Sequence, residues 1–187
     1  LTKHSFSEPA MVGELSRQIP SDALVYLGNS LPIREWNLAA TQQIPHPRTF
    51  ASRGANGIDG QIATWLGMSE GEAESWGIFG DLTALCDLNA PALLEQLSSG
   101  RRRLVILNNA GGRIFSRLSS MADLPESHKL VTENRHARHF EKWAAMWELD
   151  YVRWSAGEPF PEIAGETVVI EVILDNTATE AFWEARR

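Results

Sequence analysis

The chain has 187 residues, 43% of them apolar, which is enough for one hydrophobic core and predicts a single domain over 1–187. Seventeen Lys and Arg against 24 Asp and Glu give a formal charge of −7. That argues against a general nucleic-acid surface, yet leaves room for an anionic ligand held by a few local donors. No apolar run reaches transmembrane length and no basic-then-apolar leader opens the chain, so no membrane insertion and a cytoplasmic location are expected.

The first residue is Leu1 rather than an initiator methionine, and the chain is expected to continue something longer. Glu8-Pro9-Ala10 opens a helix, in which Met11, Leu15 and Ile19 form an apolar stripe that stops at Pro20-Ser21-Asp22. Residues 23–27 read as a strand running into Gly28-Asn29-Ser30. Small polar residues at a strand end suit either a phosphate cradle or the cap of the next helix, and the local sequence does not choose. Arg34, one turn on, reads as solvated surface unless an anionic substrate lies nearby. Pro45 and Pro47 make 41–47 a loop, and a short strand at 48–51 follows. Next comes Arg53-Gly54-Ala55-Asn56-Gly57-Ile58-Asp59-Gly60, whose glycines let a ligand approach the backbone and whose Arg53 is placed to pair with an anion. Ligand contact is favoured here over a plain capping turn, with a helix over 58–66 and an acidic, solvated linker over 68–75.

The centre of the chain is the stretch 76–115. Residues 76–79 form an apolar strand closed by Gly80, 84–97 have helical spacing through Leu85, Leu88, Ala92 and Leu93, and 104–107 fit a buried parallel strand. The lone Cys86 has no internal disulfide partner and reads as a buried small hydrophobe on that helix. Asp81 and Asn108-Asn109 then fall at the carboxyl ends of two strands of one βαβ unit, where open α/β sheets bind ligands. A carboxylate and a carboxamide there offer oxygen ligands that suit Mg²⁺ better than zinc, although Gly, Asp and Asn also serve ordinary turns. Ile114 and Phe115 read as core packing or as a pocket wall.

Residues 121–133 are polar and non-periodic, as in a loop over a site. His136, His139, Phe140, Trp143, Met146 and Trp147 have helical spacing. An amphipathic helix against the sheet explains the two histidines better than a metal pair. Strands at 151–154 and 166–174 and a terminal helix carrying Phe182 and Trp183 complete the pattern. Seven tryptophans favour an interface in addition to the core. The expected fold is α/β, a mostly parallel sheet with helices on both faces.

Four stretches together carry a resemblance. They are Gly28-Asn29-Ser30-Leu31-Pro32-Ile33-Arg34, the loop from Arg53 to Gly60, Gly80-Asp81-Leu82 with its continuation Thr83-Ala84-Leu85-Cys86-Asp87-Leu88-Asn89, and Asn108-Asn109-Ala110-Gly111-Gly112-Arg113-Ile114-Phe115. In this order they resemble the diphosphate-binding domain of thiamine-diphosphate enzymes, with Leu82 where the usual motif has glycine. Within that superfamily they look like the 2-succinyl-5-enolpyruvyl-6-hydroxy-3-cyclohexene-1-carboxylate synthase family of menaquinone biosynthesis. The resemblance runs from about Ser5 onward. It implies a thiamine-diphosphate-binding fold with Mg²⁺, or Mn²⁺ in its place, held by Asp81, Asn109 and the Gly111 carbonyl. It further implies cofactor contacts at Ser30, Ile58, Gly80, Asp81, Leu82, Asn109, Gly111 and Ile114, and substrate contacts at Arg34, Arg53, Ile114 and Phe115. The implied reaction decarboxylates 2-oxoglutarate and adds the succinyl-semialdehyde carbanion to isochorismate. The resemblance assigns no catalytic acid or base to this chain, because the activating glutamate belongs to an amino-terminal pyrimidine-binding domain of a second subunit in a homodimer or homotetramer. The chain alone is therefore expected to be inactive. Two alternatives stand beside this reading: another thiamine-diphosphate carboligase or decarboxylase, and a stand-alone, non-catalytic binding module.

Overall fold

Each of the inner strands alternates its side chains between two apolar layers, which is why their sequences read as continuous hydrophobic runs. In Leu24–Leu27 (β1), Val25 and Leu27 join one buried cluster while Leu24 and Tyr26 join the other. In Arg101–Asn108 (β4), Val105 and Leu107 divide in the same way from Leu104 and Ile106. The computed structural model describes residues 2–54, 56–114, 121 and 124–186.

The remaining strands are Thr49–Phe50 (β2), Glu74–Gly80 (β3), Asp150–Ser155 (β5) and Thr167–Ile173 (β6). All six pair in parallel in the order β2-β1-β3-β4-β6-β5, so the expected mostly parallel sheet is wholly parallel among the described residues. The helices are Glu8–Gln18 (α1), Leu31–Ala39 (α2), Gln61–Met68 (α3), Asp81–Cys86 (α4), Glu126–Glu133 (α5), Glu141–Met146 (α6) and Asn176–Glu184 (α7). α1 packs Met11, Val12, Leu15 and Ile19 on one face of the sheet. α3 and α6 cover the other face with Ile62, Trp65, Leu66, Trp143 and Ala144, giving helices on both faces. No helix among the described residues is long and apolar enough to cross a membrane.

Several local expectations are corrected. The helix expected over 84–97 is split into α4 and a 3₁₀ segment, Ala90–Gln96. Asp87 leaves the helix to accept the backbone N–H groups of Gly60 (2.5 Å) and Ile62 (2.8 Å), and Pro91 has no N–H with which to resume it. Cys86, at the end of α4, is consequently exposed rather than buried. The stretch 136–140 is not helical, and α6 starts only at Glu141. Within the expected loop at 121–133 lies α5. The linker expected over 68–75 is partly structural, since Ser69 and Ser75 are buried and β3 begins at Glu74. Four of the seven tryptophans, Trp65, Trp76, Trp143 and Trp154, are spent on the two core layers.

Candidate functional site

Three neighbouring strand ends converge on one side of the sheet. After β1 the chain turns tightly against β3: Gly28 N–H donates to the Ile78 carbonyl (2.8 Å), and a Cβ on Gly28 would meet that oxygen and Phe79 Cδ1 at 3.0 Å. Ser30 then adopts φ 74°, ψ −129°, a conformation that is costly for a residue with a side chain and concentrates at ligand-binding turns. α2 starts there, so the positive end of its dipole faces the space beyond. Buried Asn29 ties this turn to the glycine loop: its N–H donates to Gln61 Oε1 (2.8 Å) and its Nδ2 to the Gly57 carbonyl (2.9 Å). Two exposed guanidinium groups flank the turn. Arg34 Nη1 donates to the Ser30 carbonyl (2.6 Å), and Arg53 Nη1 lies 3.5 Å from Asn29 Oδ1.

The second strand end carries Asp81, which is 2% exposed. Its Oδ1 accepts the Leu82 N–H (2.7 Å), its Oδ2 accepts the Gly111 N–H (2.9 Å), and His136 Nε2 lies 3.3 Å from Oδ2. Burial pushes the Asp81 carboxyl above the usual aspartate range, while His136 and the N–H groups of Gly111, Leu82 and Ala110 partly restrain it.

The third strand end carries the two asparagines, which have different tasks. Asn108 turns into the protein, donating from Nδ2 to Glu171 Oε1 (2.6 Å) and the Arg138 carbonyl (2.9 Å) and accepting the Ala110 N–H at Oδ1 (3.1 Å). Asn109 Nδ2 donates to both oxygens of Glu8, at 3.2 and 3.3 Å. Its Oδ1 is buried and has no hydrogen-bond partner among the described residues. Ala110 (φ 63°) and Gly111 (φ 143°) then reverse the chain. The end of α5 braces the turn: Gly112 N–H donates to the Glu133 carbonyl at 2.5 Å, and Arg113 Nη1 pairs with the Glu133 carboxylate at 3.5 Å.

Between these turns lies a cavity of about 560 Å³. Ser30, Arg34, Arg53, Ile58, Gly80, Asp81, Leu82, Asn109, Gly111 and Ile114 all line it, so residues drawn from four separate stretches of sequence meet around one space. Phe115 lies outside the described residues. Sequence reasoning missed Glu8, Arg113 and Thr132, which also line the cavity. In the sequence Glu8 reads only as the opening of a helix, and its contact with a residue 101 positions away has no local signature. The two histidines likewise serve separately, His136 beside Asp81 and His139 Nδ1 3.0 Å from Glu171 Oε1.

The donor set fits a hard cation. A carboxylate, a buried carboxamide oxygen lacking a partner, and the Gly111 carbonyl all offer oxygen. Among the described residues no group of three or more His, Cys, Asp or Glu side chains is placed to hold a metal ion.

No protein-family model matches the chain. Curated relatives do. The chain is 40% identical over 186 residues to the 2-succinyl-5-enolpyruvyl-6-hydroxy-3-cyclohexene-1-carboxylate synthase of Bdellovibrio bacteriovorus, covering 98% of this chain and 34% of that protein. It is 40% identical over 178 residues to the synthase of the same name from Akkermansia muciniphila, covering 93% of this chain and 33% of the relative. With the Halorhodospira halophila synthase it shares 36% identity over 159 residues, 84% of this chain and 28% of the relative. The chain thus spans about a third of the length of the relatives it matches. It belongs by sequence to the 2-succinyl-5-enolpyruvyl-6-hydroxy-3-cyclohexene-1-carboxylate synthase family, as a part of that length.

Proposed function

We propose that this chain is the diphosphate- and metal-binding part of a thiamine-diphosphate-dependent synthase that decarboxylates 2-oxoglutarate and adds the resulting four-carbon unit to isochorismate. The observation that carries the reading is the buried, unpartnered Oδ1 of Asn109, a residue that lines the same cavity as Asp81 and Gly111. A buried acceptor without a donor is costly unless a ligand completes it, and a divalent cation is such a ligand.

In this reading Asp81, Asn109 and the Gly111 carbonyl would hold Mg²⁺, or Mn²⁺ in its place. Thiamine diphosphate, when bound, supplies the electron sink for loss of carbon dioxide from a 2-oxo acid. The chain's own residues do the rest of the local work. Ser30 and the start of α2 present a positive helix end to anionic groups. Ile58 and Leu82 give the cofactor apolar support, Gly80 allows close approach, and Ile114 helps to exclude water from the reacting centre. Arg34 and Arg53 pair with carboxylates, and two of them ask for a dicarboxylate. The acid–base partner and the opposite wall come from an amino-terminal pyrimidine-binding domain of a second subunit, in a homodimer or homotetramer.

The test is turnover by the full-length protein with thiamine diphosphate, Mg²⁺ and isochorismate. Preference for 2-oxoglutarate over pyruvate is expected, and equal use of pyruvate would move the assignment to another carboligase of the same cofactor class. Absence of Mg²⁺-dependent thiamine diphosphate binding in calorimetry would overturn the reading and favour a non-catalytic module.

A further inference from the structure

Glu8 is an acidic side chain that is 1% exposed, lies against the cavity, and has no part in the reaction described above. It sits in the first turn of α1, where the helix dipole favours a negative charge. Its backbone is pinned from the carboxyl end of the chain, because its N–H donates to Thr179 Oγ1 of α7 at 2.9 Å. The same helix holds the main chain of Asn109, whose carbonyl accepts from Asn176 Nδ2 at 3.0 Å.

The chemistry of the contact has one consequence. A carboxylate only accepts, and a carboxamide carries its donors on one side and its acceptor on the other. With both Glu8 oxygens 3.2 to 3.3 Å from Asn109 Nδ2, the amide is turned so that Oδ1 faces away from Glu8. That oxygen is the buried acceptor left without a partner among the described residues. The terminal amide torsion has only a weak two-fold preference of its own, so an external partner must select the orientation.

We infer that Glu8 is a positioning residue which fixes the Asn109 carboxamide with its oxygen presented as a ligand for the divalent cation. This rests on the reading of Asp81, Asn109 and Gly111 as the cation's ligands. Outer partners of this kind change metal affinity about 10- to 100-fold when removed.

The test uses the full-length protein with thiamine diphosphate and measures Mn²⁺ affinity by the paramagnetic resonance of free Mn²⁺, with melting temperature recorded in parallel. Glu8→Gln keeps the shape but brings an amide N–H₂ that competes for Asn109 Oδ1. It is expected to weaken Mn²⁺ binding at least about tenfold while the melting transition remains cooperative. Asn109→Asp alone sets two carboxylates against each other and is expected to bind weakly. Combined with Glu8→Gln, whose amide can donate to the new carboxylate, it is expected to recover about tenfold or more over the single Asn109→Asp variant. A role confined to folding would not produce that rescue. Wild-type affinity in Glu8→Gln, or a double variant no tighter than Asn109→Asp, overturns the inference and leaves the cation reading intact. A wild-type protein that binds no Mn²⁺ removes the cation reading and this role together.

Discussion

Gly111 and Glu171 show how single positions constrain the site from opposite sides. At Gly111 the backbone has φ 143°, and an added Cβ would lie 2.6 Å from the Glu133 carbonyl and 3.2 Å from Arg135 Cα. Gly111→Ala is therefore expected to cost about 2 kcal/mol or more in stability, read from the urea midpoint, and, on the proposed cation reading, to abolish Mn²⁺ binding because the strained turn must move. Glu171 is wholly buried in β6 yet accepts four hydrogen bonds: Phe140 N–H at 3.0 Å, Tyr151 hydroxyl at 2.6 Å, Asn108 Nδ2 at 2.6 Å and His139 Nδ1 at 3.0 Å. Burial by itself would raise its carboxyl, but these donors outweigh burial and hold it below the usual glutamate range. The same carboxylate, together with burial, pushes the Tyr151 hydroxyl upward. A depressed carboxyl contributes stability that is present above its unfolded value, about 4.3, and is lost as pH falls through the folded value. Glu171→Gln leaves two of the donors facing an N–H₂ group, so a loss of about 2 kcal/mol at neutral pH is expected. Its stability should also fall less steeply below about pH 4.5 than that of the wild type, as checked by urea unfolding at stepped pH.

At the level of elements, the β1–α2 turn and the loop leading to α3 act as one unit, joined by the hydrogen bonds from Asn29 to Gln61 and Gly57. Each presents one arginine to the cavity, so in the proposed reaction Arg34→Ala and Arg53→Ala are each expected to raise KM for 2-oxoglutarate about tenfold or more. Their effect on pyruvate should be much smaller, and steady-state kinetics with both acids checks this. The inner strands were legible because a parallel strand covered on both faces must be an unbroken apolar run, as in Leu104 to Leu107. The strand-end turns were legible because Gly28, Gly111 and the asparagines report backbone demands locally. What escaped was settled by distant partners. Asp87 abandons its helix for Gly60 and Ile62, and Phe140 gives its N–H to Glu171 instead of to a helical turn. The apolar spacing around Cys86 and His139 contains no trace of either bond. Glu8 escaped for the same reason, since its partner lies 101 positions further along the chain.

Over the whole molecule, the described residues line one cavity at the strand ends, while the chain spans about a third of the length of its relatives. Mixed alone with thiamine diphosphate, Mg²⁺, 2-oxoglutarate and isochorismate, this chain is expected to give no product detectable by chromatography, because no general acid or base in it is assigned to the reaction. The sheet order has a further consequence, for the time course of folding. β4 pairs on one side with β3, its near neighbour in sequence, and on the other with β6, which begins only at Thr167. One edge of the strand that carries Asn108 and leads into Asn109 must therefore wait, both on the ribosome and in refolding, for a pairing of high contact order. Glu171, which anchors Asn108, arrives with that same late strand. In pulsed hydrogen exchange, the β3–β4 pairing is expected to gain protection before the β4–β6 pairing, and the 108–112 turn together with the latter. The proposed cation site would then be a product of that pairing, incomplete while the neighbouring strands already stand.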